Sequence, residues 1–157
     1  MRYISNTLAA SFAVTAALVV VLGIAVTGKF RSSQEPASDR RTVIRLPEPG
    51  RDAVLAEMRT MLKSVNGVLN GAVHGDVARM REAARASGLA AAVDLQPEMR
   101  QRLPMAFLSL GEGTHAAFDS IDAVLVKWPG RDSALVRLAR LTGACVACHE
   151  AYRIEIE

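Results

Sequence analysis

Two cysteines and a histidine near the C-terminus form the most specific chemical pattern in the sequence, C-V-A-C-H at positions 145–149. On a helix, Cys145 and Cys148 are three residues apart, so both sulfurs project from one face, and His149 lies one turn beyond Cys145 on the same side. This is the spacing of c-type haem attachment, in which two thioethers hold the porphyrin and the histidine ligates the iron. We therefore predict one covalent haem c, bound through Cys145 and Cys148, with His149 as the proximal iron ligand.

Other chemistries also use a C-x-x-C pair. A redox-active dithiol normally opens a helix that follows a strand, and the sequence shows no strand signal before Cys145. A zinc site needs more ligands than this cluster offers. A structural disulfide between the two is the remaining alternative, because they are the only two cysteines among the 157 residues. The sequence favours haem over these readings.

The composition indicates which elements must position this motif. Hydrophobic residues make up 50% of the chain, charged residues 22% and aromatic residues 4%. This mixture favours helices over sheets and excludes both a disordered chain and a polytopic membrane protein. The net charge of +3 is too small and too evenly spread to indicate a nucleic-acid partner.

The first predicted helix carries an apolar seam at the spacing of a buried helical face. Its members are Val54, Met58, Met61, Val65, Val68 and Ala72. Gly75 directly follows this run and is expected to stop the helix, and Asp76 is expected to cap the next one.

The second predicted helix runs from Val77 to about Ala92, and a loop that contains Pro97 and Pro104 follows it. The third predicted helix repeats the seam spacing of the first. Its seam consists of Phe107, Gly111, Thr114, Phe118, Ile121 and Leu125.

The sequence W-P-G at 128–130 ends the third helix, and Asp132 or Ser133 is expected to cap the fourth, which reaches about Ile154. Four helices joined mostly by short turns predict an all-α fold, an antiparallel up-down-up-down four-helix bundle. A hydrophobic helix is expected to precede this bundle at the N-terminus.

The chain divides into three segments. Residues 1–28 contain an uncharged span at 8–27, long enough for a membrane anchor as a helix and also readable as a cleaved export signal. Residues 29–47 are rich in Ser, Pro and charges of both signs, which indicates a flexible linker, with a short strand conceivable at Thr42–Leu46. Residues 48–157 form the predicted haem domain.

The bundle geometry indicates the second iron ligand. In an antiparallel bundle the end of the fourth helix lies beside the beginning of the first, so Met58 on the inward seam is the preferred axial ligand and Met61 the runner-up. The alternative is that both are ordinary core methionines, or that the site is empty or filled otherwise. Gly111 and Thr114 are small enough to leave room for a porphyrin. Met99 and Met105 in the loop are weaker ligand candidates.

The remaining histidines and one arginine complete the candidate site. His115 is expected near the haem as a polar neighbour, less favoured as a ligand, and His74 is expected to be exposed at the far end of the bundle. Arg153 follows His149 by four residues, so it would lie on the same helix face. It is a candidate for a haem propionate contact, with a solvated cation of the last turn as the alternative.

The C-terminal run C-V-A-C-H-E-A-Y-R at the end of a four-helix chain resembles the class II c-type cytochromes, the cytochrome c-prime family and its low-spin relatives. The resemblance extends from Leu46 to the C-terminus. The stretch E-M-R-T-M-L, beginning at Glu57, is similar to the segment that supplies an axial methionine in the low-spin members, with Met58 at the matching place. High-spin members commonly carry an arginine where this chain has Val54, which leaves Arg51, Arg59 and Arg153 as candidate propionate partners.

The resemblance implies a periplasmic electron-transfer protein with redox proteins as partners. The N-terminal helix would tether it to the inner membrane, or leave it soluble after signal cleavage. The alternative is a five-coordinate haem protein that binds small gases such as nitric oxide or carbon monoxide. An enzyme is not expected, because no paired carboxylates or nucleophile accompany the haem motif. Many family members form homodimers through the first two helices, although Arg79, Arg81 and Arg85 make that face unusually charged here.

Overall fold

The computed structural model describes residues 39–92 and 95–157, and this part of the chain is mostly helical. The elements in order are β1 (Thr42–Leu46), α1 (Glu48–His74), α2 (Val77–Arg85), a short 3-10 helix (Leu89–Ala91), α3 (Pro97–Arg102), α4 (Met105–Lys127), α5 (Arg131–Ala151) and β2 (Tyr152–Ile156). Residues 40–157 form one compact unit. The predicted anchor or signal at residues 1–28 and the linker up to residue 38 lie outside the described residues.

No helix among the described residues combines the length and apolar character needed to cross a membrane.

Helix α1 ends where the sequence predicts. Gly75 has a φ of 67°, the left-handed conformation that ends many helices, and its N–H donates to the carbonyl of Ala72. The side chain of Asp76 then accepts a hydrogen bond of 2.9 Å from the backbone N–H of Arg79 and caps α2. Both signals are local in sequence, and both predictions are confirmed.

The prediction for the second helix is wrong at its C-terminal end, because α2 ends at Arg85 rather than near Ala92. The chain then turns at Ser87 and Gly88, and the backbone N–H of Leu89 donates to the carboxylate of Asp119 at 3.0 Å. A side chain at Gly88 would collide with that carboxylate, since a Cβ there would lie 2.0 Å from Oδ1. Contacts with α4, distant in sequence, therefore end this helix.

Two further element boundaries differ from the predictions. The predicted proline-containing loop includes the short helix α3, which begins at Pro97, a residue well suited to the first turn of a helix. Neither Asp132 nor Ser133 is the N-cap of α5. Gly130 holds that position, and the hydroxyl of Ser133 donates back to the carbonyls of Trp128 and Gly130.

A parallel pair of strands joins the two ends of the compact unit. Strand β1 pairs with β2 in a register that places Thr42 opposite Tyr152 and Leu46 opposite Ile156. The fourth predicted helix is therefore too long, because α5 ends at Ala151 and the chain continues as β2 rather than as helix to Ile154. Strand β1 lies in the segment interpreted as a linker, so residues 42–46 belong to the folded part of the chain.

The apolar side chains form two clusters. The larger lies among α1, α2, α4 and α5, with Val68, Met80, Phe118 and Leu141 almost completely buried. Within it α1 packs against α2 and α5, and α4 packs against the same two helices. The smaller cluster has four buried members, Ile44, Leu46, Val54 and Leu103. It lies where the strand pair meets the beginning of α1.

Candidate functional site

A cavity of about 760 Å³ lies beside the smaller cluster. Its walls are the first half of α1, the first half of α4 and the last part of α5, together with residues around α3. The cavity brings together nine candidate site residues that the sequence singled out, namely Met58, Arg59, Met61, Gly111, Thr114, His115, Cys145, Cys148 and His149. These residues come from three helices, and Met58 and His149 are 91 positions apart in the sequence.

The motif residues lie on the last two turns of α5. Cys145 and Cys148 are free thiols, and both are half-buried. Burial raises the pKa of each thiol, and the nearby Cys145 raises the pKa of Cys148 further. His149 is exposed, and its backbone carbonyl accepts a hydrogen bond of 3.4 Å from the guanidinium of Arg41. The motif thus presents protonated thiols and an accessible imidazole on one stretch of helix.

Both candidate methionine ligands line the cavity from α1. Met58 is half-buried and packs against the smaller cluster, next to the strand pair. Met61 packs against the larger cluster of the helices. Met99 and Met105 do not line the cavity. Met99 packs against Gly50, and Met105 is 76% exposed.

Gly111 and Thr114 are two of the residues through which α4 lines the cavity. A Cβ added at Gly111 would meet no atom within 4 Å, so this glycine faces open space. The hydroxyl of Thr114 donates to the carbonyl of Leu110 at 2.8 Å, so its hydrogen-bonding demand is met inside the helix. These two positions offer room and no unsatisfied polar group, whereas Glu112 and His115 of the same helix bring ionisable side chains to the wall.

The imidazole of His115 and the carboxyl group of Glu57 face each other at the cavity wall. His115 is 6% exposed, and its Nε2 lies 3.2 Å from Oε1 of Glu57. Its Nδ1 donates to the carbonyl of Ser87 at 2.9 Å. The sequence placed His115 near the site, but Glu57 was not identified as a site residue. The only sequence feature that could have indicated Glu57 as a site residue is its position directly before Met58, which belongs to the apolar seam of α1. His74 is exposed at the end of α1, as predicted.

The arginines differ from the sequence-based expectation. Arg153 lies in β2 and not on helix α5, so the prediction that it shares a helix face with His149 is wrong. The guanidinium of Arg153 pairs with Glu155. Arg51 pairs with Asp52 at 3.0 Å. Neither Arg51 nor Arg153 lines the cavity, whereas Arg59 and Arg100 do. Arg100 in α3 could not have been assigned from sequence, because the whole segment read as a loop.

The arrangement offers two thiols and an imidazole on α5, and two thioethers on α1. Within residues 39–92 and 95–157, no group of three or more His, Cys, Asp or Glu side chains is placed to hold a metal ion by itself. Comparison with known proteins adds no relative, since no family model, no curated protein and no solved structure matches this chain.

Proposed function

We propose that this chain is a monohaem c-type cytochrome that transfers single electrons, with one haem c held in the cavity of α1, α4 and α5. The observation that carries the proposal is the convergence of the C-V-A-C-H motif and Met58 on one cavity. The motif alone indicates haem attachment. A thioether on a different helix at the same cavity is what an electron carrier with a His–Met iron site requires.

The size and chemistry of the cavity support this assignment. Cofactor pockets usually measure roughly 300–1,000 Å³ and have mainly apolar walls with a few polar groups. A volume of about 760 Å³ is in the upper part of that range. The acidic, basic and imidazole side chains of the wall are few, namely Glu57, Arg59, Arg100, Glu112, His115 and the exposed His149. Gly111 leaves open the space that any larger side chain would fill.

Each site residue has a distinct role in this proposal. Bound haem supplies a one-electron iron couple. Cys145 and Cys148 would hold the group through thioethers, and His149 on the same helix would ligate its iron. Met58 is the proposed distal ligand, with Met61 as the runner-up. Two ligands held on packed helices would move little when the iron gains or loses an electron, which suits a carrier rather than an enzyme.

The wider assignment follows the resemblance to class II c-type cytochromes. It describes α1, α2, α4 and α5 as an antiparallel four-helix bundle, which agrees with their packing partners. It implies a periplasmic protein with redox proteins as partners, tethered by residues 8–27 or released by cleavage of that segment. A tether would hold the haem near membrane-bound electron donors and acceptors.

Optical spectra of the exported protein test the proposal. Wild type is expected to show sharp low-spin bands in both redox states and no rapid uptake of carbon monoxide. Met58→Ala is expected to become high-spin and to bind carbon monoxide, because the iron loses its thioether ligand. Met105→Ala is the matched control, since Met105 is 76% exposed and outside the cavity, and its spectrum should equal that of wild type.

Three results would change the assignment. A colourless protein with two free thiols by mass spectrometry would exclude the cytochrome. A high-spin wild type that takes up carbon monoxide would favour the gas-binding alternative. An unchanged low-spin spectrum of Met58→Ala would remove Met58 from the iron and direct the same test to Met61.

A further inference from the structure

Two arginines from different helices line the cavity, Arg59 in α1 and Arg100 in α3. Both side chains are exposed, and neither pairs with a carboxyl group within the part of the chain that the structure describes. Arg102, the other arginine of α3, is used differently, because it pairs with Glu157. The cavity wall therefore presents two guanidinium groups whose charge no described carboxylate balances.

Helix α3 is held in place by apolar contacts on both sides of Arg100. Met99 packs so closely against Gly50 at the beginning of α1 that a Cβ at Gly50 would collide with it. Leu103 is 6% exposed and belongs to the smaller cluster, which includes the buried side chains of β1. Because packing rather than the guanidinium holds α3, a substitution at Arg100 should leave the helix in its position.

The charges of the wall indicate which chemical class of group the cavity would hold. Most of the lining side chains are apolar, so the body of a bound group should be apolar too. A guanidinium stays charged and presents a planar fork of N–H donors that matches a carboxylate. Arg59 and Arg100 therefore favour a group with acidic substituents at its edge, which a porphyrin with two propionates has. No other described side chain of the lining carries a permanent positive charge, since the remaining acidic and imidazole groups are Glu57, Glu112, His115 and His149.

We propose that Arg100, together with Arg59, binds the two propionate carboxylates of the haem, so that the cavity prefers a dianionic porphyrin over a neutral one. The inference rests on the proposed function and adds a residue of α3 to those that hold the group. Each guanidinium would donate hydrogen bonds to one carboxylate. Because both arginines are exposed, solvent screens these pairs, and each contributes modestly to the affinity.

Titration of the full-length apoprotein with mesoporphyrin tests the proposal. Mesoporphyrin keeps both propionates but has ethyl groups in place of the vinyl groups, so it forms no thioethers, and its own fluorescence reports binding. We expect Arg100→Gln and Arg59→Gln each to raise its dissociation constant about two- to fivefold, as for an exposed ion pair. The double variant should raise it by roughly the product of the two factors. The neutral bis-amide of mesoporphyrin should bind wild type and all three variants equally, because it has no carboxylate.

Arg79 provides the matched control for the loss of one positive charge. It is an exposed arginine of α2 that lies outside the cavity, so Arg79→Gln removes the same charge without removing a proposed contact. Its dissociation constant for mesoporphyrin should equal that of wild type. If Arg79→Gln weakens binding as much as Arg100→Gln does, the effect belongs to the net charge of the protein, and the proposal is wrong.

The remaining outcomes separate this inference from the proposed function. An unchanged affinity of either single variant for mesoporphyrin overturns the assignment of that arginine. Equally weakened binding of mesoporphyrin and its bis-amide would show a structural effect on the cavity and would also overturn it. A wild type that binds mesoporphyrin no more tightly than the bis-amide, or not at all, overturns the preference for a dianion. The proposed function fails in a different measurement, because a colourless exported wild type excludes the cytochrome and, with it, this inference.

Discussion

The thiols of Cys145 and Cys148 lose their protons less readily in the folded chain than in the unfolded chain. Burial raises both pKa values, and Cys145 raises that of Cys148 further. The thiolate is the form that reacts with alkylating agents. We expect apoprotein at about pH 8, near the ordinary pKa of a cysteine thiol, to react more slowly with iodoacetamide than the same protein in urea. Mass spectrometry at timed quenches measures both rates.

The sign of the pH dependence follows from the same shift. A thiol whose pKa is higher in the folded state contributes stability below its unfolded pKa, and this contribution is lost as the pH rises through the folded value. Apoprotein stability should therefore fall as the pH increases through the thiol range, and a Cys145→Ser/Cys148→Ser variant should lose less stability there. Equal alkylation rates in the folded and unfolded protein would contradict the raised pKa values.

Gly111 is expected to control whether a large group can enter the cavity. It faces open space on the cavity wall, so Gly111→Leu should fill part of that space and reduce haem incorporation several-fold. Gly113→Leu is the matched control, because Gly113 also faces open space but lies outside the cavity. The ratio of haem absorbance to protein in the exported material measures incorporation. Similar losses in both variants would point to a general helix effect instead.

At the scale of elements, sequence signals worked where the deciding contacts are local. Gly75 and Asp76 mark the end of α1 and the start of α2 through bonds within a few residues. The end of α2 depends on Asp119 in another helix, so the residues near Arg85 in the sequence do not predict it. Likewise, Tyr152–Ile156 becomes a strand because it pairs with β1, about 110 positions earlier in the sequence. The same distinction holds for the candidate site. The sequence pattern was enough to predict Cys145, Cys148 and His149 as site residues, whereas Glu57 and Arg100 could be placed at the cavity only from the tertiary structure.

The strand pair is expected to support the methionine wall of the cavity. Leu46 in β1 is completely buried in the small cluster against which Met58 packs. Leu46→Ala leaves a space there and should lower the free energy of unfolding by about 2–5 kcal/mol. Val43→Ala in the same strand is the control, since Val43 is only half-buried and a smaller loss is expected. Urea denaturation of the two apoproteins gives the comparison, and equal losses would contradict the larger contribution expected of Leu46.

At the scale of the whole molecule, the proposed haem would fill a cavity that the folded polypeptide leaves open. It lies between the two apolar clusters, and Leu62 on its wall is 67% exposed in the chain alone. A group that binds the folded but not the unfolded chain raises the unfolding free energy. A covalently attached porphyrin would also cover apolar wall that otherwise faces water. The holoprotein should therefore be more stable than the apoprotein, because the porphyrin would bury apolar side chains that the polypeptide alone leaves exposed.

Thermal unfolding followed by circular dichroism tests this dependence on the cofactor. Exported wild type should unfold at a clearly higher temperature than exported Cys145→Ser/Cys148→Ser, in which no thioether can form. The serine substitutions have a small effect of their own, so the same two sequences produced without haem should unfold at similar temperatures. If haem-loaded and haem-free wild type unfold together, the cavity does not hold the porphyrin. If the two haem-free proteins differ as much as the exported ones, the cysteines stabilise the chain by packing, and the difference does not report on the cofactor.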